Sequence, residues 1–336
     1  METRQDITTV DRKTMKAIFQ DAYGLPEDQL ELRDTDVPHV GEDEVLLRVQ
    51  AVGVAIGDRL IMTGQPYIAR PGYGLLQPKH QIPGIDVAGV VEAIGRNVTG
   101  FQLGDEVFGW CDGALAEYVA VRADALVSKP ANLTSEQAAT VPTSAFAALQ
   151  ALRDTGQIHE HQQVLILGAS GGVGTFAVQI AKSFGAEVTG VCSTRNVDMV
   201  RSLGADHVVD YTREAIAESG RRYDLILDLA GNRSLSDLRD VLAPKGTLVI
   251  VGGSGGAWFM GFGRTIRAAM MAPFVGQRLR PFFSKPNQED LVVLRELLES
   301  GHITPLIDRT FPLRATSEAM AYIGERHTQG KTVISV

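Results

Sequence analysis

The chain has 336 residues, which is enough for about two domains of ordinary size. Hydrophobic residues make up 44% and charged residues 21%, a composition typical of a folded globular protein, which excludes a disordered chain. The net charge of −8 argues against nucleic-acid binding, because a basic surface is needed to neutralise phosphates, and no apolar run is long enough to span a membrane.

The first segment, residues 1–13, is predicted to be a loose polar arm. It mixes both charge signs and lacks the apolar stretch of a secretory signal. The chain has two cysteines, Cys111 and Cys192, which are too few for a disulfide framework or a four-cysteine zinc site. These features lead us to expect a cytoplasmic protein.

From residue 14 to about residue 130, short runs rich in Val and Ile alternate with turns rich in Gly, Pro and Asp. The predicted strands are Met15–Phe19, Glu44–Val54, Ile85–Ile94, Glu106–Phe108 and Ala116–Val121. Many short strands separated by turn signals predict a sandwich or barrel-like β unit.

The pattern changes near Ser135, where a helix with an acidic first turn is predicted. Apolar runs then alternate with amphipathic runs up to about residue 252. The predicted strands are Gln163–Leu167, Glu187–Val191, His207–Val209, Tyr223–Leu229 and Thr247–Val251, and the helices between them are Gly172–Phe184, Asn196–Leu203 and Ser234–Leu242. This alternation predicts a parallel sheet with crossover helices.

The last stretch has a predicted helix at Asn287–Glu299 and strands at Ile307–Phe311 and Lys331–Val336 that are similar to those of the first segment. We therefore predict a β-rich domain interrupted by an inserted α/β domain. The predicted boundaries are 1–138 and 279–336 for the β-rich domain and 139–278 for the inserted one. Within Ala257–Phe283, apolar side chains alternate with arginines, which favours closure of a substrate cleft or a subunit contact over binding to a membrane surface.

The most informative stretch is a glycine turn at residues 168–174, which follows a predicted strand and opens a predicted helix. That context is the one a dinucleotide fingerprint requires. Gly171 would let the backbone approach a pyrophosphate, Gly174 would let the helix pack on the strand, and the helix N-terminus would attract phosphate. The predicted cofactor-binding residues here are Ala169, Ser170, Gly171, Gly172, Val173 and Gly174.

The end of the second strand of the α/β domain indicates which cofactor binds. Enzymes that use NAD usually place a carboxylate there to hold the ribose 2′-hydroxyl. This chain has Ser193, Thr194 and Arg195 instead. Because the planar arginine fork suits a 2′-phosphate, these three residues predict NADP(H) as the cofactor.

Several motifs together resemble the medium-chain dehydrogenase/reductase superfamily, in its zinc-free, quinone-oxidoreductase-like branch. The resemblance runs from Met15 onward and rests on the glycine turn and on residues 83–89, 104–107, 113–118, 203–207 and 330–333. It implies a GroES-like catalytic domain interrupted by a Rossmann domain, that is, a doubly wound parallel sheet. It also implies an oxidoreductase, and relatives of this branch often form homodimers.

Zinc enzymes of this superfamily hold catalytic zinc through a Cys, a His and a later Cys. The resemblance places Ala55, Ile85 and about Thr140 at those positions. None of these side chains can ligate zinc, which takes thiolate, imidazole or carboxylate. We therefore expect no metal site.

The remaining site residues come from the resemblance and from the expected sheet. The resemblance implies that Asp58 lies near the substrate cleft and that Ser144 faces the nicotinamide, which makes both candidate catalytic residues, and that Tyr211 and Lys331 lie near the cofactor. Tyr67, in the loop Gln65–Lys79, is a candidate hydrogen-bond donor to the acceptor carbonyl. Ligands of doubly wound sheets bind at the carboxyl ends of strands, which adds Ala230, Gly231, Gly252 and Gly253.

Without a zinc ion to stabilise an alkoxide, the chemistry favours acceptors that spread negative charge. We therefore expect an NADPH-dependent reductase of small-molecule quinones or α,β-unsaturated carbonyls, acting by direct hydride transfer. The alternatives are an NAD(P)-dependent alcohol dehydrogenase of broad specificity and a non-catalytic NADPH-binding protein.

Overall fold

The computed structural model describes residues 13–252, 262–271, 275–325 and 328–336. Nearly all of the predicted polar arm and much of the segment Ala257–Phe283 therefore lie outside the described residues. The strands in chain order are β1 Thr14–Gln20, β2 Leu30–Asp36, β3 Glu44–Val54, β4 Asp86–Ile94, β5 Glu106–Trp110, β6 Tyr118–Arg122, β7 Leu126–Ser128, β8 Gln163–Leu167, β9 Glu187–Cys192, β10 His207–Asp210, β11 Tyr223–Asp228, β12 Leu242–Ile250, β13 Arg278–Pro281, β14 Ile307–Pro312 and β15 Lys331–Ser335.

The α-helices are distributed over both halves of the chain, and the longest are in the second half. They are α1 Pro26–Gln29, α2 Ile56–Met62, α3 Arg70–Tyr73, α4 Ser135–Ala139, α5 Pro142–Gln150, α6 Gly172–Ser183, α7 Val197–Ser202, α8 Leu235–Val241, α9 Phe262–Met271, α10 Gln288–Glu299 and α11 Thr316–Gly324. A π-helical turn, Ala151–Thr155, continues α5, and a 3-10 turn, Thr194–Asn196, precedes α7.

The inserted domain is a parallel sheet with the strand order β10-β9-β8-β11-β12-β13. This is the doubly wound dinucleotide-binding order, in which the direction of winding reverses beside the first strand. Side chains of β8 alternate between two hydrophobic clusters. Val164 and Ile166 face the cluster that contains α6 residues, and Leu165 and Leu167 face the cluster that contains α8 and α9 residues. Burial on both faces explains why the strands read as short continuous apolar runs.

The β-rich domain is built on a second, mainly antiparallel sheet with the order β14-β15-β3-β4-β5-β7, in which β6 also pairs with β3. The C-terminal strand β15 lies antiparallel to β3, so the last residues of the chain return to the first domain. β1 and β2 form an antiparallel pair beside this sheet. The predicted fold class, a GroES-like domain interrupted by a Rossmann domain, is confirmed.

Helix α5 joins the two domains. Its Phe146 packs edge-on against Trp110 of β5, with ring centroids 5.3 Å apart. The same helix shares the hydrophobic cluster of α6 and the parallel sheet. α5 therefore fixes the β-rich domain against the carboxyl-end side of the α/β domain.

β13 pairs outside β12 and adds a strand to the parallel sheet that the sequence pattern does not predict. Its two arginines give the segment little apolar character. The domain boundaries at 138/139 and 278/279 stay predictions.

Candidate active site

A cavity of about 1000 Å³ lies between the carboxyl edge of the parallel sheet and the β-rich domain. The residues that follow five neighbouring strands, β8 to β12, contribute to its lining. On the other side, β3, the start of α2, α11 and β15 contribute. The lining from the β-rich side includes Val54, Ala55, Ile56, Leu60, Ile323, Lys331 and Thr332. The fold thus places one cavity at the junction of the two domains.

The glycine turn forms one wall of this cavity. α6 begins at Gly172, so its unpaired backbone N–H groups point toward the cavity. A Cβ on Gly174 would lie 2.1 Å from the carbonyl oxygen of Gly168, so only glycine permits this close approach of helix and turn. A Cβ on Gly171 would meet only that same oxygen, at 3.5 Å, which leaves the space above the turn open. The turn fits a pyrophosphate.

The C-terminal segment of the chain lies directly against the glycine turn. Gly330 N donates to the carbonyl oxygen of Ser170 at 2.9 Å, and Gly330 forms a parallel bridge with Gly171. A Cβ on Gly172 would lie 3.0 Å from Lys331 Cδ and 3.5 Å from Ser144 Oγ. The lysine, the buried serine and the helix N-terminus therefore converge at one point of the cavity wall.

A buried ion pair holds Lys331 at this point. Lys331 Nζ lies 3.3 Å from Asp86 Oδ2, and the two side chains are 1% and 2% exposed. Asp86 Oδ1 also accepts from Thr143 N at 3.0 Å, and Oδ2 accepts from Thr143 Oγ1 at 2.7 Å. Burial raises the pKa of Asp86, while Lys331 and the Thr143 hydrogen bonds act in the opposite direction. The Asp86 carboxylate on β4 thus contacts both Thr143 of α5 and Lys331 of β15.

Asp58 is a second buried carboxyl close to this pair. Its Oδ2 accepts from Ala55 N at 2.8 Å, and its Oδ1 is buried without a hydrogen-bond partner among the described residues. Burial raises the pKa of Asp58 to about 6, with a further upward contribution from Asp86 and a downward one from Lys331. The side chain lies behind the cavity wall formed by Ala55.

At the other end of the cavity, the loop after β9 carries the residues predicted to choose the cofactor. Ser193, Thr194 and Arg195 all line the cavity, as does Tyr211, which follows β10 and is half exposed. The Thr194 hydroxyl donates to Asp210 Oδ2 at 2.5 Å. Its proton is therefore already used within the protein, and Ser193 and Arg195 are the other two of these three predicted residues that line the cavity.

Most predicted cofactor residues come together in this cavity. Those that line it are Ser170, Gly171, Gly172, Val173, Gly174, Ser193, Thr194, Arg195, Tyr211, Ala230, Gly252 and Lys331. Ala169 is fully buried beneath the turn, and Gly231 N donates inward to Asp228 Oδ1 at 2.9 Å. Gly253 lies outside the described residues. These assignments stay predictions.

The three predicted catalytic residues do not all lie at the cavity. Ser144 lines the cavity and is 3% exposed, whereas Asp58 lies behind the wall. Tyr67 does not line the cavity in the described structure, and the Arg70 guanidinium lies 4.5 Å from its ring centroid. The structure therefore brings Ser144 to the cavity but not the other two.

Sequence reasoning missed several residues of this site, among them Asp86, Asn196 and Arg233. Asp86 stood inside a quoted motif, but nothing in the sequence indicated its partner 245 positions away. Asn196 and Arg233 both line the cavity. Arg233 follows β11 and lies two residues beyond Gly231. Its position after a strand of the parallel sheet is the sequence feature that could have identified it.

The positions that the resemblance assigns to zinc ligands, Ala55, Ile85 and about Thr140, carry no metal-binding side chains. Ala55 lines the cavity, and the Thr140 hydroxyl is fully buried and donates to the carbonyl oxygen of Gln137 at 2.7 Å. Within the described ranges, no group of three or more His, Cys, Asp or Glu side chains is placed to hold a metal ion. In the same ranges, no helix has the length and apolar character to cross a membrane.

Two family models match the chain. The model described as alcohol dehydrogenase GroES-like domain matches residues 41–131, and the model described as zinc-binding dehydrogenase matches residues 203–334. The second match covers strands and helices of the α/β domain and the return to the β-rich domain. The two models therefore match both halves of the observed architecture.

Similar proteins share nearly the full length of the chain. NAD(P)H oxidoreductase RTN4IP1, mitochondrial, of Mus musculus is 34% identical over 98% of this chain and 91% of its own length. NADPH-dependent alkenal/one oxidoreductase, chloroplastic, of Arabidopsis thaliana is 31% identical over 96% of this chain and 80% of its own length. The solved structure of the quinone oxidoreductase from Coxiella burnetii has a TM-score of 0.84 and 29% identity, covering 96% of this chain and 100% of that one.

The raised pKa of Asp58 predicts a pH-dependent contribution to stability. The folded state binds this proton more tightly than the unfolded state, so the stabilisation is complete below about pH 4 and is lost as pH rises through about 6. A shift of this size corresponds to about 3 kcal/mol. Asp58→Asn removes the dependence, so its stability relative to wild type should increase by about 3 kcal/mol between about pH 4 and about pH 7.5.

Urea unfolding of both proteins at the two pH values measures this difference. Asp36→Asn is the matched control, because Asp36 is an exposed carboxyl at the end of β2. A difference between Asp58→Asn and wild type that is the same at both pH values would contradict the assignment.

Proposed function

The chain belongs to the medium-chain dehydrogenase/reductase superfamily, in its quinone-oxidoreductase-like branch, and it is an oxidoreductase that uses a nicotinamide cofactor; we propose that it uses NADPH to reduce quinones or α,β-unsaturated carbonyls without zinc. The observation that carries the proposal is the composition of the cavity at the domain junction. One end has the glycine turn and Arg195, and the other end has an apolar wall that includes Ala55, Ile56 and Leu60.

The preference for NADPH rests on the loop after β9. No carboxylate is present in residues 193–196, the place where an enzyme for NAD holds the 2′-hydroxyl. Ser193 Oγ and the Arg195 guanidinium are the proposed donors to a 2′-phosphate, since the Thr194 proton goes to Asp210. The positive charge of Arg195 in this loop would balance the negative charge of the 2′-phosphate.

The glycine turn and Lys331 would hold the rest of the cofactor. The N-terminal N–H groups of α6 face the phosphates, and the Lys331 ammonium adds a fixed positive charge beside them. Because Asp86 already balances Lys331, the ammonium provides orientation rather than a large net attraction. When bound, the nicotinamide supplies the hydride.

The acceptor end of the cavity suits a planar, apolar substrate. Val54, Ala55, Ile56 and Leu60 offer aliphatic contacts and exclude water. Addition of hydride to a β carbon or a quinone ring spreads negative charge over several atoms. A few hydrogen bonds can stabilise such an anion, whereas a localised alkoxide needs a stronger electrophile.

Ser144 is the proposed polar contact at this end. It is buried on the first turn of α5, and Thr143 beside it is held by two hydrogen bonds to Asp86. We propose that Ser144 orients the reacting groups, and that the proton reaches the product from solvent. Direct roles for Asp58 and Tyr67, a homodimer and a cytoplasmic location stay predictions.

The cofactor proposal predicts a selective effect of Arg195→Ala. Loss of a charge-assisted, bidentate contact costs about 1.5–3 kcal/mol, so NADPH should bind about 10- to 100-fold more weakly. NADH lacks the 2′-phosphate and should be affected less than about threefold. Fluorescence titration of both cofactors measures the two affinities.

Arg96→Ala is the matched control, because Arg96 pairs with Glu42 on a surface turn of the β-rich domain. It should leave both affinities unchanged. Wild-type protein that binds NADH as tightly as NADPH would overturn the proposed cofactor preference.

The reaction itself predicts the position of a label. With deuterated NADPH and an enone, chelator-treated enzyme should place deuterium on the β carbon and leave the carbonyl intact. Simple saturated aldehydes should react at least about 100-fold more slowly, because their negative charge stays on one oxygen. Mass spectrometry and NMR of the product locate the label.

Deuterium on the carbonyl carbon, with an allylic alcohol as product, would refute the proposal in favour of an alcohol dehydrogenase. Tight binding of NADPH without oxidation of the cofactor by any quinone or enone would instead identify a non-catalytic binding protein.

A further inference from the structure

The side-chain amide of Asn196 lies at the centre of a hydrogen-bond network beside the cofactor cavity. Asn196 ends the turn Thr194–Asn196 and is 4% exposed. Its Nδ2 donates to Ser170 Oγ at 2.9 Å and to Ser193 Oγ at 3.4 Å, and its Oδ1 accepts from Gln329 Nε2 at 2.6 Å. Both N–H donors and the carbonyl oxygen are thus used inside the protein. The amide holds neighbouring groups in place rather than offering a free contact to a ligand.

Two of these neighbours belong to separate parts of the cofactor site. Ser170 is in the glycine turn after β8, and Ser193 opens the loop after β9. Arg195 lies one residue from the amide, on the same turn. The amide therefore fixes the distance between the turn that fits the pyrophosphate and the loop that would meet the 2′-phosphate.

The third neighbour comes from the β-rich domain. Gln329 N donates to Asp308 Oδ2 at 3.0 Å, and the same oxygen accepts from the Tyr322 hydroxyl at 2.5 Å. The next residue, Gly330, is bonded to the backbone of the glycine turn at 2.9 Å. Gln329 is therefore held from the β-rich side while its side chain reaches across to Asn196.

We propose that Asn196 is a positioning residue for cofactor selection, which holds the loop of Arg195 at the spacing that a 2′-phosphate requires and links that spacing to the β-rich domain through Gln329. This inference rests on the proposed preference for NADPH. Asn196 acts through Ser193 and Arg195, and does not itself contact the phosphate.

The physical reason is the geometry of the arginine contact. Arg195 lies one residue before Asn196 on a short turn, so the position of its guanidinium depends in part on how the backbone of that turn is held. A bidentate contact to phosphate is lost when its atoms move by a fraction of an ångström or must be ordered on binding. NADH makes no such contact, so loosening the turn affects it less.

The test compares the affinities of Asn196→Ala and wild type for NADPH and NADH by fluorescence titration. We expect NADPH to bind about tenfold more weakly to the variant and NADH at most about twofold more weakly, so that the affinity ratio falls about fivefold. A residue that only stabilised the fold would lower both affinities equally, together with the melting temperature.

Gln329→Ala is the second variant, since Gln329 is partly exposed and less central to folding. Gln329→Ala should also lower the ratio of NADPH to NADH affinity, by a smaller factor than Asn196→Ala does. The double variant should lower this ratio no further than Asn196→Ala alone. Asn97→Ala is the matched control, because Asn97 donates to Asp43 on a distant surface turn.

If wild type prefers NADPH, and both Asn196→Ala and Gln329→Ala change the ratio of NADPH to NADH affinity by less than twofold, this inference alone is overturned. Equal binding of NADPH and NADH by wild type would overturn the proposed cofactor preference, and this inference with it.

Discussion

The buried pair of Asp86 and Lys331 is the interaction on which the geometry of the cavity depends. Removing two charges from water is costly, so such a pair adds little net stability, but either charge left alone would cost several kcal/mol. The contacts of Asp86 with Thr143 and Lys331 bring the start of β4, the first turn of α5 and the start of β15 together. The pair lies within the β-rich domain, and the hydrogen bonds from Thr143 to Asp86 and the approach of Lys331 to the glycine turn connect it to the α/β domain.

The cavity follows from that junction. The glycine turn is built entirely within the α/β domain, but Gly330 and Lys331 of the β-rich domain complete its wall. The cofactor end and the acceptor end thus belong to one structural unit, with α5 packed between them. Asn196 and Gln329 make a second link across the same junction. A dinucleotide and an acceptor bound here would both contact the two domains.

Local features of this structure could be predicted from the sequence, and long-range ones could not. The strand at 163–167, the glycine turn and α6 have strong local signals, because apolar runs and glycines reflect backbone geometry. β13, with exposed arginines, and α9 lacked such signals. The partner of Asp86 and the network of Asn196 depend on contacts between residues more than 100 positions apart, which one sequence does not reveal.

A double-mutant cycle of Asp86→Asn, Lys331→Met and their combination, measured by urea unfolding, tests the role of the pair most directly. Each single variant should lose about 3–5 kcal/mol, because it leaves one buried charge unbalanced. The double variant should lose less than the sum of the two by more than about 1 kcal/mol. Losses that add within about 0.5 kcal/mol would contradict the account, because the two side chains would then act independently.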